Sequence, residues 1–468
     1  MRLVAGVDSS TQSCKVLIRD LATGQIIRQG SAKHPDGSEV DPNTWWIALQ
    51  EAIAAAGGLD GVEAISVAAQ QHGMVALDSN GKVIRKALLW NDTRSAGAAA
   101  DLISEIGADK FVKLTGSVPV ASFTITKLRW LRDNEPENAG NVAAVALPHD
   151  WLSWRLLGYG PAGESKLGPV LDALTTDASD ASGTGYFNSS TGEYEYELLE
   201  AALGKRAILP KIISAGHAAG KTVDGIVVAG GAGDNAGAAL GLQIVPGDVV
   251  VSIGTSGTVF AVTDEVINDA NGVVAGFSDA TGNYLPIAVT LNAARVLANT
   301  AELLGVDFDE FAKLAMSAAP GSNGLTLVPY YEGERTPNLP NAKASLHGMT
   351  LASATRPNLA RASIEGMLCG LADGLDALVA LGVQVKRVLL IGGGAQSAAV
   401  QSVAGTIFDY PIEVPAISEY VAEGAAIQAA WVLTGNRPDW KIQTTKLAET
   451  TSVLSVRENY SKARSTSI

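Results

Sequence analysis

The sharpest chemical signal in the chain is Gly230-Gly231-Ala232-Gly233-Asp234-Asn235. It follows the apolar run Ile226 to Val228, so Asp234 is expected at the carboxyl end of a buried strand, where open α/β sheets place ligands. Glycines there let a small molecule approach the backbone, and the carboxylate could take a proton from a substrate hydroxyl during phosphoryl transfer. The same Asp could cap the helix expected over Ala236 to Leu240, and the two roles are compatible. Gln70-Gln71-His72-Gly73 closes a second buried run, Val62 to Ala69. Amide and imidazole groups at a strand end suit hydrogen bonds to a polyol or sugar, and a satisfied structural histidine is the plain alternative.

Two turns rich in small hydroxyl residues sit between apolar strands: Asp8-Ser9-Ser10-Thr11-Gln12-Ser13 and Gly254-Thr255-Ser256-Gly257-Thr258. Their backbone N–H groups could cradle phosphates, and a carboxylate beside them could hold Mg²⁺ through water. An ordinary polar hairpin turn is the competing reading. Gly392-Gly393-Gly394-Ala395 ends a further buried run, Val388 to Ile391, without Rossmann or P-loop spacing. The chain contains no GxxxxGK[ST], so any ATP site is of another kind. Ser10 and Ser256 lack a G-x-S-x-G elbow, which leaves serine hydrolysis without support. Cys14 and Cys369 follow no metal spacing, and Cys369 reads as packing. Trp45 and Trp46 read as core or interface, and Arg335 is expected to hold the loop Glu332 to Pro337 by ion pairing.

The elements that must carry these residues read as follows. Leu3 to Val7, Lys15 to Ile18 and Gln25 to Gly30 form an antiparallel meander. Asp41-Pro42 starts a helix running through Trp45 to Ala56, and Asn80-Gly81, between apolar segments, is a strong hairpin signal. A helix is expected over Ala121 to Asn134 with Lys127, Arg129 and Arg132 outward, and another near Glu197 to Leu203. Residues 160–195 read as loops with short strands. Val249 to Ile253 and Val259 to Val262 repeat the strand–turn–strand pattern of the N-terminus, and Val388 to Ala395 repeats the strand–glycine pattern of 226–235. Two kinds of unit thus occur twice, suggesting two related α/β lobes meeting near residue 242, with chance similarity of glycine-rich turns as the alternative.

Composition agrees with a large globular α/β protein. Of 468 residues, 47% are hydrophobic and 18% charged, enough to bury large cores. The net charge of −14 argues against a nucleic-acid binder and repels polyanions, so a phosphate site must be local, built from backbone amides and a metal ion. No apolar run is long enough to span a bilayer. Two distant cysteines and an N-terminus that enters a strand pattern without a signal-peptide run make a cytoplasmic protein the expectation.

Taken together, the segments resemble the FGGY family of carbohydrate kinases, and within it the members acting on xylulose. The likeness runs from Val4 to about Leu433 and rests on GVDSSTQSCKVLI, AAQQHGMVALD, LLWNDTRS, FTITKLRWL, LPHDWLSWRLLG, SDASGTGYFN, VVAGGAGDNAGAALG, VSIGTSGTVFAV, VPYYEGERTP, LIGGGAQS and EGAAIQAAW, in that order. It implies an α/β, actin-like ATPase (ribonuclease H-like) fold with two duplicated lobes and a central cleft. Residues 1–241 would carry the sugar site and catalytic Asp, and 242–468 the nucleotide site. The implied reaction is ATP-dependent phosphorylation of D-xylulose to D-xylulose 5-phosphate. Other kinases of the family, for ribulose, gluconate or glycerol, and a non-catalytic sugar-sensing protein are the alternatives. By match to the family motifs, Asp234 is the general base and Gln71, His72 and Asn235 bind the sugar. Asp8 positions Mg²⁺, Thr11 lies near the γ-phosphate, Gly254 and Thr255 form the second phosphate turn, and Gly393 and Gly394 the adenosine loop. The implied partners are the sugar and ATP, with no nucleic acid or membrane; family members are often dimers, so a homodimer is compatible. Two positions depart from the family pattern: Ser10 replaces a glycine in the first turn, and Gln71 replaces a methionine in QMHG.

Overall fold

The computed structural model describes residues 1–447 and 451–466. Its first strand, β1 (Leu3–Ser9), is buried along its whole length, as a near-continuous apolar run requires of a strand covered on both faces. It pairs antiparallel with β2 (Ser13–Asp20), which pairs antiparallel with β3 (Ile26–Lys33), giving the expected meander. Helix α1 (Pro42–Ala55) starts at Asp41, whose side chain accepts from the Asn43 N–H. The chain then returns as β4 (Val62–Ala69), parallel to β1 with Asp8 beside Ala68 and Ser9 beside Ala69. That register puts the first hydroxyl-rich turn and Gln70-Gln71-His72 side by side at one end of the sheet.

Far along the chain, β5 (Ala218–Lys221) and β6 (Val227–Ala229) extend the sheet, with β6 parallel to β4. The short β7 (Ala232–Gly233) pairs with the last turn of β4, Ala232 beside Ala68 and Gly233 beside Ala69. Asp234 is thereby delivered to the strand end that carries Gln71.

Among the described residues a second seven-stranded sheet repeats this plan. Its strands are β8 (Asp248–Ile253), β9 (Gly257–Ala261), β10 (Val274–Ser278), β11 (Tyr284–Thr290), β12 (Arg387–Ile391), β13 (Ile412–Pro415) and β14 (Thr444–Lys446), ordered β10-β11-β9-β8-β12-β13-β14. The first sheet runs β3-β2-β1-β4-β6-β5. In both, an antiparallel meander leads into parallel central pairs and ends on an antiparallel edge strand. The repeated strand–turn–strand signal in the sequence is therefore a duplicated sheet.

Two helices cross at the junction of the halves: α5 (Asp234–Gly241), which follows β7, and α7 (Tyr420–Thr434), separated in the chain by the 25-residue α6 (Arg356–Ala380) among other elements. Glycine makes the crossing close, for a Cβ on Gly424 would stand 1.9 Å from the Gly237 carbonyl oxygen. Helix α7 also lies on the first sheet, where a Cβ on Gly6 would meet the Ala422 carbonyl at 1.9 Å. Gln428 of α7 accepts from Ser66 Oγ and donates to the Gly231 carbonyl, both at 2.8 Å. An element from the second half of the chain thus props the loop that leads to Asp234.

Some expectations need correction. The helix expected from Ala121 spans Thr124–Asn134 (α2), and two of its cations point inward. Lys127 is fully buried and Arg129 nearly so, the latter paired with Glu105 and Asp133 at 2.6 Å each; Arg132 is half-buried. Long aliphatic stems let such residues lie against apolar surface while their heads find acceptors. The loop Glu332 to Pro337 is held by Glu334 rather than Arg335. The Glu334 carboxylate accepts from the backbone N–H of Leu291 and Arg335 and from Asn292 Nδ2, whereas among the described residues Arg335 makes no ion pair. Asn80-Gly81 forms a tight turn but no regular hairpin: among the described residues the isolated bridge Leu77–Val83 is the one β-pairing across it. Trp45 is buried, and Trp46 packs under Arg155 at 5.0 Å. Both cysteines are buried and free. No described helix is long and apolar enough to cross a membrane.

Candidate active site

A cleft cavity of about 430 Å³ opens where the carboxyl ends of β1, β7 and β12 meet; Asp8, Lys15, Asp234, Asn235 and Gly393 are among its lining. Asp234 is the first residue of α5, and the helix N-terminus favours its ionised form. Its Oδ1 accepts from the Asn235 backbone N–H at 2.8 Å and from Asn235 Nδ2 at 2.9 Å. Burial and then the nearby Asp8 charge outweigh these bonds and push the Asp234 carboxyl up to about 7. Asp8 is buried too, and desolvation raises it to about 6 against the pull of the Ser10 hydroxyl and Lys15. Lys15 in turn pairs across the cleft with Glu419, just before α7. The Asp8 charge thus raises the pKa of Asp234, and these two carboxylates lining one cleft are hard-oxygen donors of the kind that fits Mg²⁺.

Of the amide and imidazole dipeptide, Gln71 reaches this pair through Asn235, and neither Gln71 nor His72 is among the residues lining the cavity. Gln71 Oε1 accepts from Asn235 Nδ2 at 3.2 Å, and Gln71 Nε2 donates to the Ser179 carbonyl at 3.1 Å. Its amide thus orients Asn235, which orients Asp234. A Cβ on Gly233 would lie 2.6 Å from Gln71 Nε2, so glycine is required for this approach. His72 Nδ1–H donates to the Gly183 carbonyl at 2.7 Å, which fixes the tautomer. Burial, with the charges of Lys127 and Arg335, holds His72 down at about 3. The imidazole is therefore neutral, with Nε2 an acceptor suited to a hydroxyl. Phe123 and Phe277 pack on the ring at centroid distances of 4.9 and 6.0 Å, the latter from β10 of the second sheet.

The remaining candidates divide. Thr11 Oγ1 accepts from Trp90 Nε1 at 2.8 Å and contacts Gln70, which ties the first turn to the sugar-suited side. Gly393 lines the cavity with nothing near its Cβ position, whereas a Cβ on Gly394 would strike Ile253 at 2.4 Å. Gly394 is thus a packing glycine and Gly393 an open one. Gly254 and Thr255 form the exposed turn beyond β8, and Ser252 rather than either of them lines the cavity; the Gly254 carbonyl accepts from the Ala294 N–H. Ser10, which replaces the family glycine, donates its hydroxyl to Asp8.

Several contributors had no sequence signal strong enough to single them out. Ser179 Oγ accepts from the Gly233 N–H at 3.1 Å, so one residue holds both Gln71 and the base loop. His149 is fully buried, its Nδ1 2.6 Å from Asp180 and its Nε2 3.1 Å from the Gly230 carbonyl. Against burial, Asp150 and Asp180 hold its pKa up near 10. Both nitrogens then donate, which makes this cluster an ion-paired strut under Gly230 and leaves no lone pair for a metal. The segments SDASG and PHDW that supply these residues are visible in sequence, but their burial is not.

The arrangement is matched by known proteins. Residues 3–241 match the N-terminal domain and residues 249–433 the C-terminal domain of the FGGY family of carbohydrate kinases. The chain is 44% identical over 451 residues to a xylulose kinase of Streptomyces rubiginosus, covering 93% of this chain and 89% of that one. It is 32% identical to the Escherichia coli xylulose kinase over 84% of this chain and 82% of the other. The crystal structure of xylulose kinase from Bifidobacterium adolescentis superposes with a TM-score of 0.92 at 48% identity, covering 99% of both chains. The two duplicated sheets and their cleft are the actin-like ATPase fold of sugar kinases, and the chain belongs to the FGGY family of carbohydrate kinases.

Proposed function

We propose that the protein transfers the γ-phosphoryl group of ATP to the terminal C5 hydroxyl of D-xylulose, giving D-xylulose 5-phosphate and ADP. The observation that carries this reading is Asp234: a carboxylate with a pKa near 7, joined by hydrogen bonds through Asn235 to Gln71, the residue before a neutral His72. A base poised near the working pH is what proton removal from a hydroxyl needs. Similarity to chains named xylulose kinase, at 44% and 48% identity over nearly full length, supports the sugar.

In this reading the first 241 residues hold the sugar and the base, and residues 242–468 hold the nucleotide. His72 Nε2 accepts from a sugar hydroxyl. Asn235 and the spare amide hydrogen of Gln71 take further sugar oxygens. Adenosine lies along Gly393, and the turns at Thr11 and at Gly254-Thr255 face the phosphates. The C5 oxygen attacks phosphorus, the bond to the ADP oxygen breaks, and the hydroxyl proton passes to Asp234. Asp8 would hold Mg²⁺ through water, and the ion would supply charge neutralisation at the phosphates. The net charge of −14 supports a phosphate site built from amides and metal.

A panel of ketoses and polyols, read as kcat/KM by ADP release, tests the assignment. D-xylulose is expected to lead. A clear preference for ribulose, gluconate or glycerol would overturn the sugar while keeping the kinase, and no ATP consumption with any sugar would favour a non-catalytic protein.

A further inference from the structure

Among the described residues His72 is one of four non-glycine residues with a left-handed backbone, φ 69°. For an L-residue that conformation is disfavoured and persists only where its surroundings impose it. Here they do so through one atom. The His72 carbonyl oxygen accepts from Lys127 Nζ and from Thr124 Oγ1, both at 3.1 Å. Both donors come from the first turn of α2, the same turn that follows Phe123, the ring packed on the imidazole. Lys127 Nζ also donates to the Ser122 carbonyl, and among the described residues it has no carboxylate within ion-pair distance.

A fully buried lysine without a counter-ion in contact is expensive. Its burial pushes the Lys127 pKa down to about 7, the nearby Asp92 charge working in the other direction. Ammonium and neutral amine both carry enough hydrogens for two carbonyls, so the clamp does not depend on its charge state. Packing alone would be served better by Met or Leu. What the amine adds is a donor to the carbonyl of the one strained residue at the sugar-suited strand end.

We propose that Lys127, with Thr124, is a positioning residue for the sugar: the pair grips the His72 carbonyl, keeps the backbone left-handed and so holds the imidazole with Nδ1 on Gly183 and Nε2, without a hydrogen-bond partner among the described residues, turned to substrate. The inference rests on the reading that His72 binds the sugar.

The test is a double-mutant cycle on the full-length enzyme: Lys127→Met, His72→Ala, and both together. KM and kcat are measured for D-xylulose and for ATP, and folding is checked by circular dichroism. Lys127→Met is expected to raise the xylulose KM by about tenfold, a coupling of ordinary size between contacting residues, with the ATP KM little changed. On a His72→Ala background the same change should add nothing to the xylulose KM, because the residue it positions is gone. If Lys127→Met does not fold, Thr124→Val, which removes the other donor, is carried through the same cycle. An unchanged xylulose KM, or effects that multiply in the double mutant, would overturn the positioning role. If His72→Ala itself leaves the xylulose KM unchanged, the sugar reading fails first and the inference with it.

Discussion

Replacing Asp234 by Asn should make the protein more stable and nearly inactive. Asp234 carries a pKa near 7 in place of 3.8, because burial and the Asp8 charge oppose its ionisation. Holding a carboxylate ionised against such a shift corresponds to about 4 kcal/mol. Asp234 borders the cleft, so water screens part of this and about 1–2 kcal/mol is expected to be recovered. The sign follows from the direction of the shift. The folded pKa lies above the unfolded one, so the cost is absent at pH below the unfolded value, grows as pH rises, and is complete above about 7. Asp234→Asn should therefore melt close to wild type near pH 4 and about 2–8 °C higher at pH 8, for a cooperative unit the size of one lobe. Thermal melts from pH 4 to pH 8 in EDTA measure this. Added Mg²⁺ should narrow the gap by stabilising the wild type more. Turnover should fall by about 10²–10⁴, because Asn cannot take the proton. A variant that melts lower at pH 8, or a gap that does not change with pH, would refute the account of two opposed carboxylates. Near wild-type kcat would refute the base.

The pH dependence of kcat/KM offers a separate check: it should fall tenfold per unit below an apparent pKa near 7, and Asp8→Asn should move that limb to lower pH by removing the neighbouring charge. The two glycines of the 393–394 turn should behave differently. Gly393→Ala should leave the melting temperature unchanged while raising the KM for ATP, since its Cβ would enter open cleft, whereas Gly394→Ala should destabilise by about 1–3 kcal/mol through collision with Ile253. Unfolding curves and ATP kinetics on the two variants distinguish them.

Much of the site was legible because it sits at strand ends. Val62 to Ala69 and Val388 to Ile391 read as buried strands from unbroken apolar runs, and the polar residues that end such runs are obvious. The duplication was visible for the same reason, since strand–turn–strand units repeat at short range. Lys127 was misread because a lysine on a helix counts as outward in any periodicity, while its stem is long enough to reach a backbone carbonyl 55 residues earlier. Arg335 was misread because GERTP does not say which charged residue faces inward, and the structure gave that place to Glu334.

The sequence by itself determined which residues could do chemistry, the strands that carry them and the ligand-bearing ends of those strands, because each of these depends on hydrophobic pattern and residue type over a few positions. Only the tertiary structure decided the register that sets Gly233 beside Ala69 and so Asp234 beside Gln71. It alone decided the tautomer of His72, the pKa near 7 at Asp234 and the burial of Lys127 and His149. Those properties arise from groups brought together across tens to hundreds of residues, where desolvation and a single hydrogen bond set the charge and orientation of a side chain that composition and spacing leave free.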